Sequence, residues 1–155
     1  MSEPISFEIS IPTDDDGYIL LRCEHCGNYF KITADDIEDD RILDIYCPCC
    51  GLISNNYFTE DVIDLAQKMV QNYVMDTIND VFRDLERKYK ESPVRFQAGK
   101  KLKHEQENPV RTGIEALDIT RFDCCGRSAK IKPLLKMTGC YCPFCGVKDY
   151  EIEQK

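Results

Sequence analysis

Residues 5–11 alternate strictly. Ile5, Phe7, Ile9 and Ile11 fall on one face of an extended segment and Ser6, Glu8 and Ser10 on the other, the period of a half-buried strand. Residues 12–17, from Pro12 through three aspartates to Gly17, carry turn chemistry. Residues 18–22 and 28–32 read as short strands on either side of a break, and residues 42–46 as another. Thr33 is placed to cap an acidic turn through Asp35, Asp36 and Glu38, whose carboxylates suit a helix amino terminus.

From Thr59 the period changes. Thr59 suits an N-cap, with Glu60 and Asp61 in the first turn. No proline or glycine follows until Pro93, so the spacing predicts a helix of about 30 residues, ended by Ser92-Pro93. Its apolar face drifts. Val62, Ala66, Met69 and Tyr73 form one stripe, and Val74, Ile78, Val81, Leu85 and Tyr89 form another, more than about 90° around the helical wheel. Asp76 and Asp80 stand where the first stripe would continue. The drift predicts either a kink near Met75 to Thr77 or, the preferred reading, two halves with different neighbours: one packed on the first cysteine module, the other on the second or on another copy of the chain. Residues 92–112 follow as a basic connector broken by Gly99 and Pro109, with the composition of a flexible link. Residues 114–122 read as a strand, 129–132 as its return and 133–139 as a turn.

The cysteines sit in the breaks between strands, and they repeat. Cys23-x-x-Cys26-Gly27 is followed by Cys47-Pro48-Cys49-Cys50-Gly51; Cys125-Gly126 is followed by Cys142-Pro143-Phe144-Cys145-Gly146. A two-residue gap lets both sulfurs of a pair bend towards one ion, and the glycine frees the backbone to turn. Cys23, Cys26, Cys47 and Cys50 therefore make one tetrahedral zinc site. The second module lacks one cysteine, because Phe122 stands where Cys23 stands in the first. Cys125, Cys142 and Cys145 carry over. The fourth ligand is Cys124, Cys140 or none, and Cys124 is preferred because slack before the turn can swing it inward. Cys49 and His25 read as spare groups within their turns.

These motifs resemble the knuckles of the zinc-ribbon superfamily, which are shared with rubredoxins. The likeness covers the knuckles and their flanking strands. It implies two small β modules that hold metal, and says little about function.

The chain has 155 residues and ten cysteines. Modules of 30 to 40 residues rarely bury enough apolar surface to fold without a metal or a disulfide, so the ion does structural work at about this size. No basic start followed by an apolar run marks a secretory signal, and no stretch approaches the roughly 20 apolar residues of a bilayer span. That predicts a cytoplasmic protein with no membrane contact, in a compartment where paired cysteines hold metal rather than disulfides. The net charge of −8 is uneven: residues 1–80 hold 17 acidic and 4 basic side chains, residues 81–155 hold 11 acidic and 16 basic. Such polarity steers partners.

The fold class expected is α+β, with two zinc-ribbon-like modules joined by a long helix and a basic connector. The division is residues 1–58 (an acidic ribbon), 59–92 (helix), 93–112 (connector) and 113–155 (second ribbon). No phosphate-cradling glycine loop and no Ser/His/Asp set is spaced for catalysis. The expected function is that of a non-enzymatic adaptor or regulatory protein holding two zinc ions and acting through protein–protein contact. A second copy is a further candidate partner, through residues 59–92. One alternative is nucleic-acid binding through Arg121, Arg127, Lys130, Lys132 and Lys136, and another is rubredoxin-like electron transfer on a single iron.

Overall fold

The computed structural model describes residues 4–113 and 116–149. Its elements are β1 (Tyr18–Arg22), β2 (Tyr29–Thr33), α1 (Ala34–Ile37), α2 (Glu60–Lys88), β3 (Asp118–Arg121), β4 (Ser128–Ile131), α3 (Pro133–Thr138), β5 (Cys140–Tyr141) and β6 (Lys148–Asp149). A small antiparallel sheet and one long helix make this an α+β protein. Among the described residues no helix is long and apolar enough to cross a membrane. Two compact units emerge: Ser10–Glu60 with Val110–Lys155, and Met1–Ile9 with Asp61–Pro109.

In the first unit both cysteine modules share one sheet. Its strand order is β1-β2-β4-β3. Hairpin β1–β2 sets Leu20 opposite Lys31, and hairpin β3–β4 sets Ile119 opposite Lys130. The two hairpins then meet antiparallel with Lys31 opposite Lys130, so equivalent strands pair about a local two-fold axis. The same symmetry governs the far turns. The Tyr46 N–H donates to the Pro143 carbonyl at 2.8 Å, and the Tyr141 N–H donates to the Pro48 carbonyl at 2.9 Å. The Tyr46 ring lies against Gly146 and the Tyr141 ring against Gly51.

Strand period decides what each face buries. Phe30 and Ile32 of β2 and Ala129 and Ile131 of β4 enter the core with Leu21, Phe122, Cys140 and Cys142. Lys31 and Lys130 lie between those residues and so point to the other face, where they are only 4% and 9% exposed. Like charges facing each other across a strand pair are destabilising. Asp14 removes the conflict by accepting from Lys31 at 2.9 Å and from Lys130 at 2.8 Å, and Asp16 accepts from Lys130 at 2.5 Å. The aspartate turn is thus a counter-charge rather than a solvated loop. Partial burial works to raise the Asp14 pKa, but the hydrogen bonds from Lys130, Lys31 and the Tyr18 backbone outweigh it and hold the carboxyl well below the usual range.

Two local expectations in this unit change. Residues 42–46 form no strand; Tyr46 makes a single bridge with Ile53. Residues 133–139 hold α3, with proline at its start, where a missing N–H costs nothing. Ile114 and Glu115, at the start of the expected strand 114–122, lie outside the described residues, and β3 covers Asp118–Arg121. Thr33 caps α1, its hydroxyl accepting from the Asp36 N–H at 3.2 Å.

The second unit is built on α2. The strand expected over residues 5–11 does not form. Phe7 instead stands edge-on to Tyr73 at 5.8 Å. Residues 96–107 run back along the helix as an extended strap. The Asn72 amide accepts from the Glu105 N–H at 2.8 Å and donates to the Glu105 carbonyl at 3.0 Å. The Asn79 amide pairs with the Leu102 N–H at 3.0 Å and the Leu102 carbonyl at 3.1 Å. Glu86 accepts from the Ala98 N–H at 2.7 Å, and Asp76 meets His104 at 2.8 Å. The spacings match: seven helical residues rise about 10.5 Å and three extended residues about 10 Å. Asp76 interrupts the first apolar stripe because the strap lies there.

Two outcomes follow for unfolding of the metal-loaded chain. A Cβ on Gly51 or Gly146 would sit 2.7 or 2.8 Å from a tyrosine ring, at φ of 71° and 69°, whereas one on Gly17 meets open space. Gly51→Ala and Gly146→Ala should each lower stability by about 2–3 kcal/mol and Gly17→Ala by about 1 kcal/mol; equal losses in denaturant titrations would contradict the tyrosine contacts. Asp14→Asn should cost about 2–3 kcal/mol at neutral pH by leaving the buried Lys31 ammonium without a carboxylate and Lys130 with Asp16 alone. The folded pKa of Asp14 is depressed, so its contribution is complete above the ordinary carboxylate range and fades as pH falls through the lowered value. The gap between wild type and Asp14→Asn should therefore close in acid.

Candidate metal centres

Four turns of one design carry the cysteines. In each, the residue opening the turn donates its N–H to a carbonyl five residues on and accepts from a glycine N–H four residues on. The pairs are Cys23 with Asn28 and Gly27, Cys47 with Leu52 and Gly51, Phe122 with Arg127 and Gly126, and Cys142 with Val147 and Gly146. The four glycines share φ of 70°, 71°, 70° and 69°, a left-handed conformation that side chains resist.

The turns bring together two groups of four sulfurs. Cys23, Cys26, Cys47 and Cys50 form one; Cys124, Cys125, Cys142 and Cys145 form the other, and within each all sulfurs lie within 4.8 Å of one another. Cys26 and Cys47 are 3.5 Å apart, Cys23 and Cys50 3.7 Å, and Cys125 and Cys142 3.6 Å. A tetrahedron with metal–sulfur bonds of about 2.3 Å has edges of about 3.8 Å, so both groups can hold a metal ion. The knuckle turns are compatible with a zinc-ribbon likeness. No family model, curated protein or solved structure matches the chain.

The second centre solves its missing cysteine within the turn. Phe122 keeps the backbone bonds of Cys23 but is buried in the core. Cys124, two residues on and exposed, joins the group instead. Cys140 is fully buried in the core cluster and stays outside the group. In the first module His25 is exposed and faces the Ile53 carbonyl at 3.1 Å, outside the sulfur group. Cys49 is half-buried and also outside it; burial and the nearness of Cys26 push its thiol up.

The thiols differ in acidity. For Cys26, burial is outweighed by hydrogen bonds from the Asn28 backbone and side chain and from neighbouring cysteines, which pull it down to about 6. Burial pushes Cys47 and Cys142 up, and Cys124 up to about 11. Cys125 is lowered, its burial outweighed by the Arg127 backbone and neighbouring thiols. A metal would displace the protons that most of these thiols carry at neutral pH. Sequence reasoning missed Ser54, whose hydroxyl is 3.7 Å from the buried Cys23 sulfur. No spacing signal marks it.

The basic residues named for nucleic acid have varied surroundings. Arg127 meets Asp36 and, at 2.7 Å, Asp39. Hydrogen bonds from Arg41 first, then Arg127, hold Asp39 below the usual carboxylate range. Lys130 is the buried lysine bound by Asp14 and Asp16, and Lys136 meets Asp118 at 3.4 Å. Arg121 and Lys132 are exposed.

Cys124→Ser should reduce bound metal from two ions to about one per chain, while Cys140→Ser should leave two, both read by elemental analysis of purified protein. Retention of two ions by Cys124→Ser would remove it from the ligand set.

Proposed function

We propose that this protein is a non-enzymatic adaptor whose two four-cysteine centres hold zinc and whose long helix meets a protein partner. Four thiolates per ion is the donor set of structural zinc, which contributes folding energy directly. Two metal ions and one shared sheet support a rigid body from short segments.

The observation that carries the reading is on α2. Ile63, Val70, Val74 and Val81 are 36%, 47%, 47% and 51% exposed. At 100° per residue they fall within an arc of about 40°, on the side of the helix opposite Asn72 and Asn79, which hold the strap. A continuous apolar stripe exposed along a helix marks a contact surface. A partner helix or a second copy of this chain would bury it in the helix-in-groove manner.

The zinc-loaded chain should be colourless, with two zinc ions by elemental analysis. Val74→Asp with Val81→Asp should leave the zinc content and circular dichroism unchanged but abolish self-association in sedimentation and retention of partner proteins. A red, iron-loaded protein would turn the reading towards electron transfer. Association unchanged by the double substitution would remove α2 as the contact surface.

A further inference from the structure

The strap changes what the basic residues can do. Residues 83–103 hold eight basic and three acidic side chains. All eight basic residues, Arg83, Arg87, Lys88, Lys90, Arg95, Lys100, Lys101 and Lys103, are exposed. On a free linker such charges would be diffuse. Here the strap backbone is anchored to Asn79 and Glu86, through Leu102 and Ala98, so the lysine stems leave from held positions.

Aromatic rings lie among these charges. Phe82 of the helix and Phe96 of the strap are 39% and 38% exposed, with centroids 6.0 Å apart and planes tilted by 45°. Beside them a cavity of about 300 Å³ is lined by Phe82, Arg83, Glu86, Lys100 and Lys101 among others. Its one carboxylate, Glu86, already accepts the Ala98 N–H. The nearby helix acids are engaged as well: Asp76 with His104, Asp80 with Arg83 and Asp84 with Arg87. The two arginine pairs are solvent-exposed and cost little to exchange for phosphate.

We propose that the carboxyl-terminal end of α2 and the strap form a binding surface for single-stranded nucleic acid. Lys100, Lys101, Lys103 and Arg95 meet backbone phosphates, and unpaired bases stack on Phe96 and Phe82. Exposed aromatic faces beside ordered cations are the elements of sequence-tolerant single-strand binding. A duplex buries its base faces and cannot use the rings. The surface lies away from the ribbon residues Arg121 and Lys132 in sequence and is independent of metal identity.

The test is fluorescence anisotropy of the full metal-loaded chain with labelled 20-nucleotide single-stranded DNA, the same sequence as RNA, and the DNA duplex. Binding should favour single strands and weaken steeply between 50 and 200 mM salt. Lys100→Glu with Lys101→Glu should lower affinity at least roughly tenfold and flatten the salt dependence. Phe96→Leu keeps an apolar contact with Phe82 but removes a stacking face; it should weaken binding roughly fivefold or more with the salt slope unchanged. Arg121→Glu with Lys132→Glu should leave affinity intact. Comparison of the DNA and RNA arms identifies the preferred strand. The proposal falls if no strand binds at low salt, if the duplex binds better, if Phe96→Leu has no effect, or if the ribbon variant loses binding equally. Polyglutamate competing as well as the oligonucleotide would overturn it in favour of an acidic polypeptide.

Discussion

Two lysines face each other at the centre of the four-stranded sheet, and the rest of that unit is arranged so that they can. β2 and β4 are equivalent strands, and the register of their antiparallel pairing brings Lys31 against Lys130. Asp14 bonds both ammonium groups. Its turn is closed by the Gly17 N–H on the Asp14 carbonyl at 2.9 Å, with Gly17 at φ 82°. Without that carboxylate the join would place two desolvated charges side by side. With it, the hairpins share one apolar face, and two segments each too short for a core combine to make one.

The local symmetry is incomplete in an informative way. Backbone bonds and glycine conformations repeat almost without change, because the turn geometry is set by four or five consecutive residues. Side chains diverge where packing allows. Phe30 corresponds to Ala129, Cys49 to Phe144 and Cys23 to Phe122. The last exchange transfers a ligand position into the core and leaves Cys124 to complete the second sulfur group. The first group consequently has two buried cysteines, Cys23 and Cys47, and the second only Cys142.

The helix unit rests on a different device. Asparagine amides on α2 bond both backbone groups of Glu105 and Leu102. An extended segment cannot satisfy its own N–H and C=O groups, so a helix that presents amides at matching rise orders it without a sheet. Phe82 and Phe96 add an apolar contact to the same ladder. One side of α2 is spent on the strap, and the opposite side keeps its valines exposed.

The order of the cysteine turns, the strands β1 to β4, the Thr33 cap and the extent of the helix were legible in the sequence, whereas the strand expected over residues 42–46 did not form. Each depends on neighbours a few residues away: a two-residue gap between thiols, a following glycine, alternation, or the absence of proline and glycine from 60 to 88. The choice among Cys124, Cys140 and no fourth sulfur was not legible, because it turns on whether Phe122 and Cys140 enter a core built from both ends of the chain. Nor was the pairing of β2 with β4, since Lys31 and Lys130 are far apart in sequence and a buried lysine looks like a solvated one until its strand partner is known. Residues 5–11 carried a strand period, yet they pair with no strand among the described residues, and Phe7 packs on the helix instead. The basic connector was read as a link because composition reports charge but not backbone partners. Local geometry determined the parts of this protein; contacts between residues distant in sequence decided which parts share a core, which charges are neutralised and which remain on the surface.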